Sequence, residues 1–209
     1  MNLLLMDQTK TNLSSIEVFN SFNLIMPPRP MVIKAIELFN EKTGIAIDFG
    51  AGEGVDCAYL LAHNWQVIAV DINTSGVENM LKNTSNKYVD KITVVKKRFH
   101  NVIIPTVDLF VANYSLPFCD LKQFPYVWER IKAAIKPGGR FAGTFFGKHD
   151  DFKHRAILLD SEQIKVMFEG FEYDYYNEGE QEGEVINQKG NITLRHWHTF
   201  DIIAKKKNS

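Results

Sequence analysis

Ala46-Ile47-Asp48-Phe49-Gly50-Ala51-Gly52-Glu53-Gly54 is a strand signal that runs through an acidic residue into three glycines, each separated from the next by one residue. Glycine adopts positive φ without a Cβ clash, so such a turn lets backbone amides approach a ligand closely. Val55, Ala58, Leu61 and Ala62 share one face of the helix that follows. The partly positive N-terminus of that helix points at the same place. The next strand signal, Gln66–Asp71, closes on a second carboxylate. At the tip of that strand Asp71 can accept hydrogen bonds from both ribose hydroxyls of an adenosine. The stretch predicts a nucleoside-binding βαβ unit.

The glycine spacing narrows the nucleoside. A dinucleotide fingerprint is G-x-G-x-x-G, whose glycines make room for a pyrophosphate. This chain instead has Asp48-x-Gly50-x-Gly52-x-Gly54. A carboxylate ahead of the first glycine repels a pyrophosphate and suits the cationic amino group of S-adenosylmethionine.

With 209 residues, 45% of them hydrophobic, the chain has the size of one globular domain. Residues 30–209 form its expected core, and residues 1–29 an N-terminal helical extension or lid. A formal net charge of −1 gives no electrostatic footprint for nucleic acid or an anionic membrane surface. Cys57 and Cys119 make neither a metal-ligand spacing nor a disulfide framework, so no metal is expected and Cys57 reads as a buried thiol. The apolar run Leu3–Met6 lacks the basic flank and the length of a signal peptide. No segment approaches the roughly 20 apolar residues of a membrane span. These features predict a cytoplasmic protein, monomeric or homodimeric, that handles a small-molecule substrate and has no nucleic-acid or membrane partner.

Along the chain, strand and helix signals alternate as in a parallel sheet with crossover helices. Residues 12–22 read as a short amphipathic helix, and Pro27-Pro28-Arg29-Pro30 leads into a second with Val32, Ala35, Ile36 and Phe39 on one face. Strands are expected at Ile45–Asp48, Gln66–Asp71, Ile92–Lys96 and Leu109–Ala112. A helix over 121–135 should stop at Pro137-Gly138-Gly139, a helix-terminating turn, before a fifth strand at Arg140–Phe146. Asp160 and Gln163 make a capping box for a helix through Phe168. A sixth strand, Phe171–Tyr176, an acidic loop and a seventh strand, His196–Ala204, complete the chain. In that loop Glu178, Glu180, Glu182 and Glu184 alternate with Gly179 and Gly183 and read as a solvated, mobile segment, with a lid as the alternative.

Beyond the fourth strand come Asn113-Tyr114-Ser115-Leu116-Pro117-Phe118. In a doubly wound sheet the first and fourth strands flank the switch point where ligands sit, so Asn113, Tyr114 and Ser115 should lie beside the reacting group. Together with Asp48–Gly54, Asp71 and Lys136-Pro137-Gly138-Gly139-Arg140-Phe141, this segment resembles the class I S-adenosylmethionine-dependent methyltransferases. The Pro-Arg-Pro turn at Arg29, Phe145-Phe146-Gly147 and His196-Trp197-His198 make the resemblance greatest to the bacterial tellurite-resistance branch of small-molecule enzymes. The resemblance covers residues 29–204. It implies an α/β, Rossmann-like doubly wound sheet of seven strands, order 3-2-1-4-5-7-6 with strand 7 antiparallel and helices on both faces. It also implies S-adenosylmethionine as cofactor, with Asp48 at the methionine end, Gly50, Ala51, Gly52 and Gly54 around it, Asp71 on the ribose, Ile72 on the adenine, and Asn113 nearby. Where such enzymes often carry an adenine-binding Asp, this chain has Lys97-Arg98-Phe99-His100. Arg98 cannot accept a hydrogen bond, which leaves Phe99 and backbone groups for the adenine.

Methyl transfer from a sulfonium is an in-line displacement, for which a protein chiefly positions the acceptor and excludes water. An oxygen or nitrogen acceptor calls for a general base near neutral pKa, as histidine is; a thiolate, selenite or tellurite does not. An antiparallel last strand begins at the active-site edge, so Arg195 and His196, with Tyr114, are the catalytic candidates. His149, beside Asp150 and Asp151, is a secondary one, and His63 reads as a surface or capping residue. Arg29 is expected either at the substrate or cofactor carboxylate or in a helix-capping ion pair. The alternatives are an NAD(P)-dependent oxidoreductase of similar topology and a non-catalytic S-adenosylmethionine-binding regulatory protein.

Overall fold

The computed structural model describes residues 14–83, 86–186 and 192–208. Residues 3–6, with their apolar run, and residues 12 and 13 of the first expected helix lie outside the described residues. The strands are β1 (Ile45–Phe49), β2 (Gln66–Asp71), β3 (Ile92–Lys96), β4 (Val107–Asn113), β5 (Ile135–Gly147), β6 (Leu158–Leu159), β7 (Phe171–Ile186) and β8 (Ile192–Lys206). The helices are α1 (Ser15–Asn20), α2 (Pro30–Glu37), α3 (Val55–Ala62), α4 (Ser75–Lys82), α5 (Phe124–Ala134) and α6 (Ser161–Met167).

Among the described residues these strands make one sheet, in the order β3-β2-β1-β4-β5-β8-β7. β1 to β5 run parallel, and β8 runs antiparallel to both β5 and β7. The two-residue β6 pairs with the end of β5 and stands outside this path. Discounting it, β7 and β8 are the expected sixth and seventh strands, and the order 3-2-1-4-5-7-6 holds. The parallel strands are near-continuous apolar runs because helices cover both faces. One face packs Val32, Ala35, Ala58, Leu61, Val77 and Met80 of α2, α3 and α4. The other packs Trp128, Ile131, Phe141, Phe145 and Phe168 beneath α5 and α6.

Local signals are met where a mechanism backs them. Asp160 Oδ1 accepts from the Gln163 N–H at 2.8 Å while Gln163 Oε1 accepts from the Asp160 N–H at 3.0 Å, the reciprocal cap that starts α6. Cys57 is fully buried in α3, and His63 is the C-cap residue of that helix.

Two expectations are corrected. Pro137-Gly138-Gly139 does not precede the fifth strand but lies within its irregular start. α5 ends at Ala134, β5 begins at Ile135, and the pairing shifts register between Val107 and Leu109. Gly138 takes φ 77°, and a Cβ on Gly139 would stand 2.8 Å from the Asp108 carbonyl oxygen, so the glycines allow a bulge rather than a free turn. The second correction is larger: the acidic segment 177–186 is no loop. It continues β7 along β8, with Glu178 opposite Phe200, Glu180 opposite His198 and Glu182 opposite His196. Its glutamates recur every second residue, the period of a strand, and so share one face. Gly183 is tolerated because the Trp197 ring covers it; a Cβ there would lie 3.0 Å from Trp197 Nε1. No helix among the described residues is long and apolar enough to cross a membrane.

Candidate active site

At the carboxyl ends of β1 and β4 the chain builds two cavities that share Gly50 as a common wall. Gly50, with φ 85°, donates its N–H to the Val70 carbonyl at 2.8 Å. A Cβ on Gly50 would fall 2.4 Å from the Ser115 Cβ. The turn and the exit of β4 therefore approach more closely than any side chain permits. Gly52 and Gly54 also hold positive φ, at 50° and 79°. Gly52 lines the second cavity, whereas Gly54 caps α3 against Met80 and lines neither.

The first cavity, of about 300 Å³, is bordered by Asp71, Ile72, Arg98, Phe99, Tyr114 and Phe118. Asp71 is already oriented: Oδ2 accepts from the Gly52 N–H at 3.0 Å and Oδ1 from the Asn73 N–H at 2.9 Å. Each carboxylate oxygen keeps a further lone pair for a ligand hydroxyl. Ile72 is 62% exposed, an uncovered apolar side chain at a cavity rim. Phe99 stacks on Phe49 with ring centroids 4.8 Å apart and planes 8° apart, which fixes one wall. Asp71, Ile72 and Phe99 are thus brought together as expected, with Arg98 and His100 beside them.

The second cavity, of about 150 Å³, is acidic, with Asp48, Asp56 and Glu53 facing Arg29, Ala51 and Asn113. Asp48 is 3% exposed and accepts a hydrogen bond from Cys57 Sγ at 3.3 Å. Burial, then the nearby charge of Asp56, pushes its carboxyl up to about 8. Burial also raises Asp56, against the hydrogen bonds that it accepts from the Arg29 N–H and from Asn113 Nδ2, each 2.8 Å long. Because Nδ2 serves Asp56, the free atom of Asn113 is Oδ1, which is buried without a partner. Asp56 carries no motif of its own; as the acidic residue of a helix first turn it reads merely as a helix-dipole partner.

Tyr114 borders the first cavity and directly follows Asn113, which borders the second. It holds φ 53°, a left-handed backbone that costs a residue with a Cβ of order 1–3 kcal/mol. Its ring lies among Phe146 and Trp197, with the Arg29 guanidinium 5.4 Å away. Burial, then the charge of Asp201, raises its phenol, so at neutral pH it is a hydrogen-bond donor rather than a base. Phe118 and Phe152 extend the aromatic wall, each packed edge-on or tilted against Phe146.

Alternation along β8 separates the two other catalytic candidates. Arg195 and Trp197 project to the Tyr114 side, and His196 and His198 to the opposite side. Arg195 is 9% exposed; its guanidinium is sandwiched 3.3 Å from the Phe152 ring centroid and 3.5 Å from that of Trp197. It is also ion-paired with Asp150 at 2.7 Å. Arg195 therefore braces the aromatic wall from behind. His196 is held by Glu182 at 2.7 Å and Glu180 at 2.8 Å, which favour its charged form and raise its pKa. With both ring nitrogens engaged and the ring on the face away from Tyr114, His196 is not placed as a base for an acceptor there. Neither residue borders the two cavities. His149 lies with His196 and His198, not with Tyr114. Sequence reasoning missed Asp56; it expected Ser115 beside the reacting group but not as the close partner of Gly50, and it named Trp197 without a place in the aromatic wall.

Residues 46–139 match the methyltransferase domain family. No curated protein sequence matches the chain. The fold is similar to that of TehB from Haemophilus influenzae, with a TM-score of 0.73 and 16% identity over 93% of this chain and 67% of that one. It is also similar to the 1,6-didemethyltoxoflavin-N1-methyltransferase of Burkholderia thailandensis, solved with 1,6-didemethyltoxoflavin and S-adenosylhomocysteine bound. There the TM-score is 0.62 and the identity 17%, over 86% of this chain and 78% of that one. A putative type 11 methyltransferase from Sulfolobus solfataricus gives a TM-score of 0.54 and 20% identity, over 88% and 95%. The domain match over residues 46–139 and the shared sheet bear out the methyltransferase domain and the Rossmann-like fold expected from the sequence.

Proposed function

We propose that this chain, which carries a class I S-adenosylmethionine-dependent methyltransferase domain, methylates a small molecule that is a thiol or a tellurite- or selenite-like oxyanion. The observation that carries the donor half is the pair of cavities meeting at Gly50. One ends on a carboxylate poised for two hydroxyls, and the other is acidic and holds an orphaned buried carbonyl oxygen, Asn113 Oδ1. That pairing fits a ligand with a ribose at one end and an ammonium at the other. The second cavity, lined by Asp48, Glu53 and Asp56, suits an ammonium better than a pyrophosphate and so disfavours a dinucleotide.

In this reading Asp71 takes the ribose, Ile72 and Phe99 the adenine, and Asp48 and Asn113 the amino group. Bound there, S-adenosylmethionine supplies an electrophilic methyl on a sulfonium whose departure returns the bonding electron pair to sulfur. Tyr114 and the wall of Phe146 and Trp197 exclude water and align the acceptor. The two polar groups that flank this end, a neutral phenol and the Arg29 guanidinium, are a donor and a cation. Both suit an acceptor that arrives as an anion or soft nucleophile and needs no proton removed. The absence of strong positive charge supports a small acceptor over nucleic acid, and composition supports a cytoplasmic setting.

The test is S-adenosylhomocysteine release from the purified chain with thiols, selenite, tellurite, phenols and amines as acceptors. The expected outcome is turnover with a thiol or an oxyanion and little with phenols or amines. Turnover confined to amines or phenols would overturn the acceptor assignment.

A further inference from the structure

On the sheet face turned away from Tyr114, β7 and β8 set Glu178, Glu180 and Glu182 beside His196 and His198. His149, just beyond β5, joins them, its ring centroid 5.0 Å from that of His198. His149 Nδ1 is 3.0 Å from Glu180 Oε1, and His198 Nδ1 is 3.9 Å from the same oxygen. Candidate ligand atoms of these three residues all lie within 4.8 Å of one another.

The surrounding groups orient those atoms. His198 is 4% exposed, and its ring occupies the space that a Cβ on Gly147 would need, 2.2 Å from Nδ1. Its Nε2 lies 3.1 Å from Glu178 Oε1. A carboxylate on one ring nitrogen holds the proton there and leaves the lone pair on the other, as in metal-binding histidines. The Nδ1 lone pair takes only a long bond, 3.3 Å, from the His149 N–H, which ligation would replace. His196 steadies Glu180 in turn, with Nε2 2.8 Å from Oε2 and Nδ1 2.7 Å from Glu182, so Oε1 is left toward His149 and His198.

We infer that His149 Nδ1, His198 Nδ1 and Glu180 Oε1 bind one divalent transition-metal ion of the zinc class. Tetrahedral zinc with bonds near 2.0–2.1 Å spaces its ligands about 3.3 Å apart. The 3.0 and 3.9 Å separations from Glu180 bracket that value, and the remaining edge, between the two imidazoles and within 4.8 Å, closes by side-chain shifts of about an ångström. Two imidazoles exclude magnesium and calcium, which take oxygen ligands. With three protein ligands, a fourth position falls to water. The ion would tie the end of β5 to the β7–β8 hairpin behind Trp197. It clamps the acceptor wall and takes no part in methyl transfer.

The test is calorimetric titration of the tag-free, chelator-treated full chain with zinc chloride, and the visible spectrum of the cobalt(II) form. One equivalent should bind, with a tetrahedral cobalt d–d band and a raised Tm. His149→Ala, whose side chain is 67% exposed and whose loss spares the core, should weaken zinc binding by about tenfold or more, as should Glu180→Gln. Glu184→Gln, outside the cluster, should bind as the parent does. No saturable binding, or parent-like binding and cobalt spectrum in both His149→Ala and Glu180→Gln, would refute the site.

Discussion

Asp48 carries an unusual burden for a carboxylate. Buried and facing Asp56, its carboxyl titrates near 8 rather than at its ordinary 3.8. Between those values the folded chain holds a proton that the unfolded chain has lost. Stability from this group is therefore full below about 3.8 and is lost as pH rises through about 8. A cationic donor favours the ionised form, so donor affinity should rise with pH across the same window. Asp48→Asn cannot lose that proton. Thermal unfolding of the ligand-free variant between about pH 5 and 8 should therefore lack a slope of up to about 1.4 kcal/mol per pH unit. Titrations with S-adenosylmethionine should show a flat pH profile for the variant and a rising one for the parent. A parent profile that falls with pH would contradict the assignment of Asp48 to the amino group.

The elements differ in how plainly their sequences announce them. β1, β2 and α6 are read directly, because an apolar run, a glycine turn and a reciprocal cap each have a local mechanism. The β7–β8 hairpin is not read directly. Alternating Glu and Gly carry low strand preference, and what makes 177–186 a strand is the partner β8, from Asp201 opposite Asn177 to Ile192 opposite Ile186. The mistaken loop concealed the face on which His196 lies, since a strand's register decides both faces at once. Trp197→Ala should lower turnover about tenfold or more while donor affinity stays within about twofold, because it removes acceptor wall and no donor contact. His196→Ala should leave turnover near the parent's. Steady-state kinetics paired with donor titration separates the two, and the reverse pattern would restore His196 as the catalytic group.

At the scale of the whole molecule, most of the proposed donor half is legible because one crossover unit contains it, Phe99 and Asn113 excepted. Asp48, Gly50, Gly52, Asp71 and Ile72 fall within 25 residues, and the sheet topology needs only the usual right-handed crossover to bring them together. The acceptor half draws on α2, β4, β5 and β8, so its geometry is a property of packing between distant segments. Arg29 and Phe146 meet at Tyr114 from α2 and β5, and Trp197 joins them because the antiparallel β8 lies beside β5. The cluster of His149, Glu180 and His198 is hidden for the same reason: no spacing in the chain resembles a metal motif. S-adenosylmethionine as the donor is the central claim, and calorimetric titration of the parent and of Gly50→Ala, with S-adenosylmethionine and separately with NADH, tests it most directly. Saturable S-adenosylmethionine binding to the parent and no NADH binding are expected, with donor affinity at least about fivefold weaker in Gly50→Ala, where the clash with Ser115 and strain of order 1–3 kcal/mol displace the turn. Binding of NADH in preference to S-adenosylmethionine, or no binding of S-adenosylmethionine by the folded parent, would contradict that claim.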